Sequence, residues 1–119
     1  MTNDHKASIK SEQDRIFKAG GYIKNDRVNG SLAITRAFGD FFYKKAGVTS
    51  EPEIKEYEVQ AEDWFLLIAS DGLWDVVDDA FATEFLCKAE DLEIGCAELV
   101  QIAIEKGSAD NVSCMVIEL

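Results

Sequence analysis

The chain has 119 residues, 47% of them apolar, and carries 12 Lys and Arg against 23 Asp and Glu, a formal net charge of −11. This length and apolar share predict one globular domain with one hydrophobic core, and exclude two domains or a disordered chain. The acidic balance argues against nucleic acid as a partner. No apolar run approaches the roughly 20 residues of a membrane span, so we expect no membrane partner. The first residues lack a signal peptide or an arginine-rich presequence, which favours the cytoplasm or the nucleus.

The charges are unevenly distributed along the chain. Residues 1–45 contain 9 basic and 5 acidic side chains, whereas residues 46–119 contain 3 basic and 18 acidic ones. Opposite net charges predict that the two parts attract each other. The acidic part is either an ordinary solvated surface or the surroundings of a cation site.

The beginning of the chain predicts one helix and two short strands. Ser11, followed by acidic side chains, is typical of a helix N-cap, and Gly20-Gly21 is typical of a helix end. Together they predict a helix over about residues 12–19. Loose alternation of apolar and polar residues over 22–38, with a tight turn at Asn29-Gly30, predicts two short strands.

The middle of the chain predicts a loop and two further strands. The loop covers residues 41–52, and the apolar spacing over residues 54–59 then predicts an edge strand. Residues 64–69, WFLLIA, are continuously apolar and too few for a typical helix. They predict a strand that is buried on both faces and ends at Asp71-Gly72.

The last part of the chain predicts two helices and a final strand. Asp78-Asp79 is suited to cap the first helix, and the second helix covers residues 92–106 and ends at Gly107. Residues 112–119 are rich in β-branched side chains, which predicts a strand. The predicted apolar helix faces are Phe81, Phe85 and Leu86, then Leu92, Cys96, Leu99, Val100 and Ala103. This order of elements indicates an α+β fold, with helices on one face of a largely antiparallel sheet.

Two aspartates flank the two most apolar predicted strands. Asp71 follows one strand and Asp110 precedes the last one. Antiparallel neighbours would bring both carboxylates to one sheet edge, whereas parallel strands would separate them by about 20 Å. Carboxylates held close together are stabilised by a shared proton or by a hard cation such as Mg²⁺ or Mn²⁺. The alternative is two ordinary turns, because Asp-Gly and Asp-Asn are common turn pairs.

Other residues with reactive side chains form no recognisable site in the sequence. Asp75 lies four positions after Asp71, but the segment lacks the alternating oxygen ligands of an EF-hand. His5 is expected in a surface or turn role, and no zinc, serine-hydrolase or glycine-rich phosphate motif is present. The three cysteines show no C-x-x-C spacing and are expected to be reduced core residues: Cys87, Cys96 and Cys114.

Four segments occur together in a particular order: DHK at residues 4–6, RVNGSLAITRAFGD at 27–40, SDGLWDVV at 70–77 and GSADNVS at 107–113. Their combination resembles the metal-dependent protein serine/threonine phosphatases of type 2C. The first segment is a weak element, whereas the other three are specific. The resemblance covers nearly the whole chain.

The resemblance implies a fold, a reaction and metal ligands. The family fold is a four-layer α-β-β-α sandwich, of which this chain would form a part. The family binds two Mg²⁺ or Mn²⁺ ions, with a weaker third, and a metal-activated water attacks the phosphorus of phosphoserine or phosphothreonine in a phosphoprotein. By this resemblance, Asp71 and Asp110 hold the same metal and Asp75 belongs to the weaker third site. Asn111 steadies Asp110, unless it is an ordinary turn asparagine.

Residues 12–30 resemble the flap of the family, a small subdomain beside the catalytic cleft that influences substrate choice. Its basic side chains either meet a phosphopeptide or complement the acidic part of the chain. They are Lys18, Lys24 and Arg27. By the same comparison, Trp74 is expected in the core rather than against the substrate.

The sequence lacks the D-G-H-G segment of the family, whose aspartate bridges both metals and whose histidine is a candidate acid for the leaving group. The arginine that binds the phosphate is also missing. Residues 1–119 therefore resemble the C-terminal half of a catalytic domain, and Met1 is either an added start or a natural truncation. We expect an exposed apolar face, weak metal binding, and association with the missing half or a second copy.

Two classes of function remain after this comparison. In the first, the chain is part of a protein serine/threonine phosphatase, and activity belongs to the intact domain while the isolated chain is inactive. In the second, it is a non-catalytic binding or regulatory module derived from a phosphatase.

Overall fold

A computed structural model describes residues 1–119, and the chain divides into two units, Met1–Tyr57 and Glu58–Leu119. Each unit has its own cluster of buried apolar residues, so the expectation of one core is wrong. The reason is visible in residues 50–62, which are all exposed and belong to no helix or strand. A solvated connection of this length contributes no side chains to a shared core.

The first unit contains two helices and one hairpin: α1 (Lys10–Lys18), β1 (Ile23–Lys24), β2 (Arg27–Val28) and α2 (Phe41–Lys44). The structure places α2 inside the predicted loop. Ile9 occupies the N-cap of α1 and makes no side-chain cap, so the predicted Ser11 cap is wrong. The helix ends before Gly20, whose φ of +84° is the left-handed conformation that glycine adopts most easily.

The hairpin of β1 and β2 is antiparallel, with Ile23 opposite Val28. Its turn is made by Asn25 and Asp26, which both have positive φ, as two-residue hairpins require. The sequence pattern pointed to Asn29-Gly30 instead. That pair forms a second turn, where the Val28 amide donates to the Leu32 carbonyl at 2.8 Å.

A buried carboxylate organises the first unit. The Glu12 side chain is 1% exposed and accepts hydrogen bonds from Arg15 Nη2 at 2.6 Å, Arg36 Nη2 at 2.6 Å and Thr35 Oγ1 at 2.5 Å. A buried charge is tolerated only when it is paired and hydrogen-bonded in this way. The network joins α1 to the segment that carries residues 35 and 36. The apolar cluster beside it comprises Ile16, Val28, Ala46 and Val48.

The strand predicted over residues 54–59 is absent. These residues form no ladder, and the side chains that alternate there remain in solvent, Ile54 with 80% exposure. Alternation produces a strand only when a neighbouring strand supplies hydrogen bonds. No strand of this chain pairs with the segment.

The second unit packs helices against one two-stranded antiparallel sheet. Its elements are β3 (Phe65–Ala69), α3 (Asp71–Trp74), α4 (Asp79–Lys88), α5 (Leu92–Glu105) and β4 (Cys114–Glu118). Phe65 lies opposite Glu118 and Ala69 lies opposite Cys114. The expected α+β class, with helices packed on antiparallel sheet, is confirmed.

The helix ends of the second unit follow the sequence signals. The Asp78 side chain accepts from the Phe81 amide at 2.8 Å, and the Asp91 side chain accepts from the Ile94 amide at 2.9 Å. Both bonds satisfy an amide that the first helical turn leaves without a partner. At the other end of α5, Gly107 has a φ of +89°. The buried cluster beneath these helices comprises Leu73, Val77, Ala82, Leu86, Leu99 and Ala103.

The sheet of the second unit is buried on one face only. In β3 the Ile68 side chain is 49% exposed, and its cross-strand partner Met115 in β4 is 58% exposed. The prediction that β3 is buried on both faces is therefore wrong for this chain, because helices cover one side of the sheet and no element of the unit covers the other. None of the helices combines the length and apolarity needed to cross a membrane.

Candidate metal centre

The two strands that flank Asp71 and Asp110 are antiparallel neighbours. The ladder between β3 and β4 ends at the Ala69–Cys114 pair, and one step further the Ser70 amide donates to the Ser113 carbonyl at 2.9 Å. The segment that leaves β3 and the segment that enters β4 therefore lie at the same sheet edge. This is the antiparallel alternative of the sequence analysis, and it excludes the parallel one.

Two serine hydroxyls hold these segments together. Ser70 Oγ donates to the Asn111 carbonyl at 3.0 Å and accepts from the Ser113 amide at 3.0 Å. Ser108 Oγ donates to the Gly72 carbonyl at 2.6 Å. Three side-chain hydrogen bonds thus cross between residues 70–72 and residues 108–113, where no regular ladder exists.

The absence of a side chain at Gly72 allows these segments to approach closely. A Cβ atom at this position would lie 2.3 Å from the Asn111 carbonyl oxygen and 2.9 Å from its carbonyl carbon. Both neighbours are backbone atoms, which cannot turn aside as a flexible side chain can. The glycine of the Asp71-Gly72 pair is therefore required by the contact between the two segments rather than by a turn with positive φ.

The carboxylates at this edge are available to a ligand. Asp71 begins α3 and Asp75 follows its last residue, so the i, i+4 spacing places both on one side of the turn. Both residues are exposed, and neither carboxylate makes a hydrogen bond or ion pair within the chain. Asp110 is also exposed, and its Oδ1 accepts from the Asn111 amide at 2.7 Å.

The chemistry of this donor set fits part of a magnesium or manganese site. Carboxylate oxygens are the ligands that such hard cations prefer, and the cations keep several waters in their coordination shell. Nowhere in the chain do three or more His, Cys, Asp or Glu side chains gather in a group able to hold a metal. The chain by itself therefore supplies an incomplete set of protein ligands.

Comparison with known proteins identifies the family. A family model described as Protein phosphatase 2C matches residues 1–112. The chain belongs to the protein phosphatase 2C family. It is 44% identical to "Protein phosphatase 2C homolog 1" of Saccharomyces cerevisiae, covering 100% of this chain and 42% of that protein. It is 43% identical to the mouse "Probable protein phosphatase 1N", covering 98% of this chain and 32% of that protein.

Solved structures show the same fold. A Caenorhabditis elegans sex determining protein superposes with a TM-score of 0.87 and 32% identity, covering 99% of this chain and 31% of that one. A phosphatase from Toxoplasma gondii gives a TM-score of 0.85 and 30% identity, covering 99% of this chain and 42% of that one. The chain thus spans between about a third and two fifths of the length of these four relatives, and its mixed α+β arrangement is the same as in the solved structures.

The structure of this protein phosphatase 2C chain also shows the surroundings of three other residues for which the sequence predicted a role. The Asn111 contact with Asp110 comes from the backbone amide, not from the side chain. Trp74 is 36% exposed and its Nε1 donates to the Ala69 carbonyl at 3.1 Å, so the prediction of a core position is wrong. His5 is half-buried, and its Nε2 lies 3.2 Å from Glu53 Oε2.

The three basic residues of the flap-like segment lie on the first unit. Lys18 is in the last turn of α1, and Lys24 is paired with Arg27 across the β1–β2 hairpin. All three are exposed, and Arg27 Nη1 donates to the Ser31 carbonyl at 2.8 Å. Their role toward a substrate stays a prediction.

The residues that position this edge of the phosphatase 2C fold were not predicted from the sequence. Ser70 and Ser108 lie in the quoted segments without a predicted role, and Gly72 was expected only as part of a turn pair at the strand end. A signal was present, since each lies within two residues of Asp71 or Asp110. The register between the segment after β3 and the segment before β4 could not be predicted, because a hydrogen bond between positions 70 and 111 does not follow from local spacing.

Proposed function

We propose that this chain is the C-terminal part of a protein serine/threonine phosphatase domain that hydrolyses phosphoserine and phosphothreonine in phosphoproteins with Mg²⁺ or Mn²⁺. The observation that carries the proposal is the antiparallel junction of β3 and β4, which presents Asp71 and Asp110 at one sheet edge. The match to the family over residues 1–112 supports it. We place the reaction in the cytoplasm or the nucleus, where the thiols of three unpaired cysteines stay reduced.

In this proposal Asp71 and Asp110 hold one metal ion together, and Asp75 serves a weaker third ion. Bound Mg²⁺ or Mn²⁺ lowers the pKa of a coordinated water and offsets negative charge on the phosphoryl oxygens. The chain's own contribution is to orient the carboxylates. The Asn111 amide fixes Asp110, while Ser70 and Ser108 hold the segments of Asp71 and Asp110 in register.

The isolated chain is proposed to be inactive. Two carboxylates leave most coordination positions to water, and no third ligating side chain of this chain joins them in a cluster. The remaining ligands would come from a part of the domain that corresponds to the stretch of the relatives outside the match. The exposed side of the sheet, with Ile68 opposite Met115 and Ile117 beside them, is the surface that such a partner or a second copy would cover.

The metal proposal is tested by Mn²⁺ titration of the purified chain, followed by calorimetry or by the electron paramagnetic resonance signal of free Mn²⁺. We expect weak binding that Asp71→Asn and Asp110→Asn each weaken by at least about ten-fold. Glu98→Gln is the matched control, since Glu98 is an exposed carboxylate on α5 that makes no side-chain hydrogen bond or ion pair within the chain. Equal binding by all variants would contradict the assignment.

The phosphatase proposal is tested by phosphate release from a phosphothreonine peptide. The chain alone is expected to release none with Mn²⁺ or with EDTA. Addition of a segment that carries the family's D-G-H-G motif is expected to produce release that depends on Mn²⁺ and on Asp71. A folded, reconstituted domain that hydrolyses no phosphopeptide would refute the enzymatic function.

A second candidate function is a non-catalytic binding module derived from a phosphatase. The incomplete ligand set and the exposed apolar sheet face favour it. The same reconstitution separates the two candidates, because a binding module would associate with the added segment without releasing phosphate.

A further inference from the structure

Two thiols meet between α5 and β4, away from the proposed metal ligands. The Cys96 thiol donates a hydrogen bond to the Cys114 sulfur, and the two sulfur atoms lie 2.8 Å apart. The residues are 18 positions apart in the chain, so tertiary packing alone brings them together. A disulfide bond is about 2.05 Å long, so the sulfur atoms need to approach by only about 0.8 Å.

The pair is within reach of a small reagent. Both side chains are half-buried and border one shallow surface depression between α5 and β4. The third cysteine, Cys87, is exposed on α4 and has no sulfur partner. The chain therefore contains a preformed thiol pair and an isolated exposed thiol that serves as an internal reference.

We propose that Cys96 and Cys114 form a reversible disulfide when the protein meets a peroxide. The Cys96 sulfur attacks one oxygen of hydrogen peroxide, the O–O bond breaks, and a sulfenic acid and one water result. The Cys114 sulfur then attacks the sulfenic sulfur, an S–S bond forms, and the S–O bond breaks. The leaving hydroxide takes the Cys114 proton and becomes a second water. The two thiols lose two electrons, which the peroxide gains.

The environment assigns the first step to Cys96. Burial, together with the hydrogen bond and the charge of Cys96, raises the pKa of the Cys114 thiol to about 12. Cys114 therefore keeps its proton, so we assign the attack on the peroxide to its neighbour Cys96. Cys114 then acts as the resolving thiol at hydrogen-bonding distance.

The disulfide would tie α5 to the first residue of β4. Cys114 is paired with Ala69 in the sheet, directly after the segment that Ser70 holds. Closing this loop removes conformations mainly from the unfolded chain, so the oxidised protein should be the more stable form. We expect the thermal midpoint of the Glu58–Leu119 unit to rise by on the order of 10 °C.

The proposal is tested by thiol counting on the folded full chain. The protein is treated with hydrogen peroxide, its free thiols are alkylated with N-ethylmaleimide, and the intact and digested masses are measured. We expect alkylation of Cys87 alone, a Cys96–Cys114 disulfide peptide, and alkylation of all three cysteines after dithiothreitol. Cys87→Ser should form the same bond and take up no alkylating reagent.

Other outcomes would overturn the proposal. They are alkylation of all three thiols after peroxide, a bond that includes Cys87, or sulfinic acid in place of the disulfide. Circular dichroism of the treated protein verifies that the chain is folded. The parent chain and Cys87→Ser suffice for this decision, so it does not depend on the folding of a Cys96 variant. The readout is a mass, so the result is independent of phosphatase activity.

Discussion

Replacement of Gly72 by alanine tests how the candidate metal centre is built. The new Cβ would lie 2.3 Å from the Asn111 carbonyl oxygen, whereas an unstrained carbon–oxygen contact needs about 3.3 Å. Residues 71–72 and the Asn111 segment must then separate by about 1 Å. Overpacking of this kind costs about 1 to 3 kcal/mol, and the upper end is expected because both sides of the contact are backbone.

Urea unfolding followed by tryptophan fluorescence measures this cost. Trp64 and Trp74 are the two tryptophans of the chain and both belong to the Glu58–Leu119 unit, so the signal reports on the unit that carries Gly72. Gly72→Ala should lower the free energy of unfolding by about 3 kcal/mol. It should also weaken Mn²⁺ binding by on the order of ten-fold, because Asp71 and Asp110 lose their mutual placement.

Gly107→Asn is the matched control. A Cβ at Gly107 would meet no atom within 4 Å, and asparagine tolerates the left-handed conformation found there, so its cost should stay below about 1 kcal/mol. If Gly72→Ala unfolded at the same urea concentration as the parent chain and this control, the close approach of the two segments would be refuted as a structural requirement.

Three further predictions concern stability. Burial opposes ionisation of Glu12, but hydrogen bonds from Arg15 and Arg36 outweigh it and hold the pKa of the carboxyl below its ordinary value of 4.5. The Glu12 carboxylate therefore binds a proton at higher pH in the unfolded chain than in the folded one. Protonation then favours the unfolded chain, and the first unit should lose stability as the pH falls below 4.5. Glu12→Gln should cost about 3 kcal/mol at neutral pH and flatten that acid dependence, as measured by circular dichroism; an unchanged acid slope would contradict the assignment. Ser70→Ala should lower the stability of the second unit by about 1 to 2 kcal/mol in urea unfolding, and a cost near zero would mean that water replaces its two hydrogen bonds. Asp78→Ala should cost about 1 kcal/mol in the same assay, whereas Asp78→Asn should retain most of the stability because its side chain can still cap α4; equal losses would refute the capping role.

Local signals in the sequence were sufficient to predict the helices whose ends are set by capping residues close by in the chain. The predicted helices over 92–106 and after Asp78 match α5 and α4 closely, because the N-cap aspartates and Gly107 act within one turn of the backbone. The final strand and the apolar strand after Trp64 were also predicted, each within a few residues of its bounds.

Long-range partners decided what local signals could not. The alternating residues 54–59 form no strand because no neighbour pairs with them. The hairpin turn lies at Asn25 and Asp26 rather than at Asn29-Gly30, since the pairing of Ile23 with Val28 selects it. Nothing in the local pattern around Glu12 indicated a buried charge, because its partners Thr35 and Arg36 are more than 20 positions away.

In the candidate metal centre, too, some features follow from the sequence and others only from the tertiary structure. The sequence by itself determined the identity of the acidic residues and their place beside two strands, because aspartates next to glycine or asparagine at strand ends are visible in local order. Only the tertiary structure decided that these strands are antiparallel neighbours. It also decided that the Ser70 and Ser108 hydroxyls form hydrogen bonds between the segments at the strand ends, and that Gly72 must lack a side chain. Register and backbone approach depend on pairs of residues about 40 positions apart, and such contacts exist only once the sheet has formed.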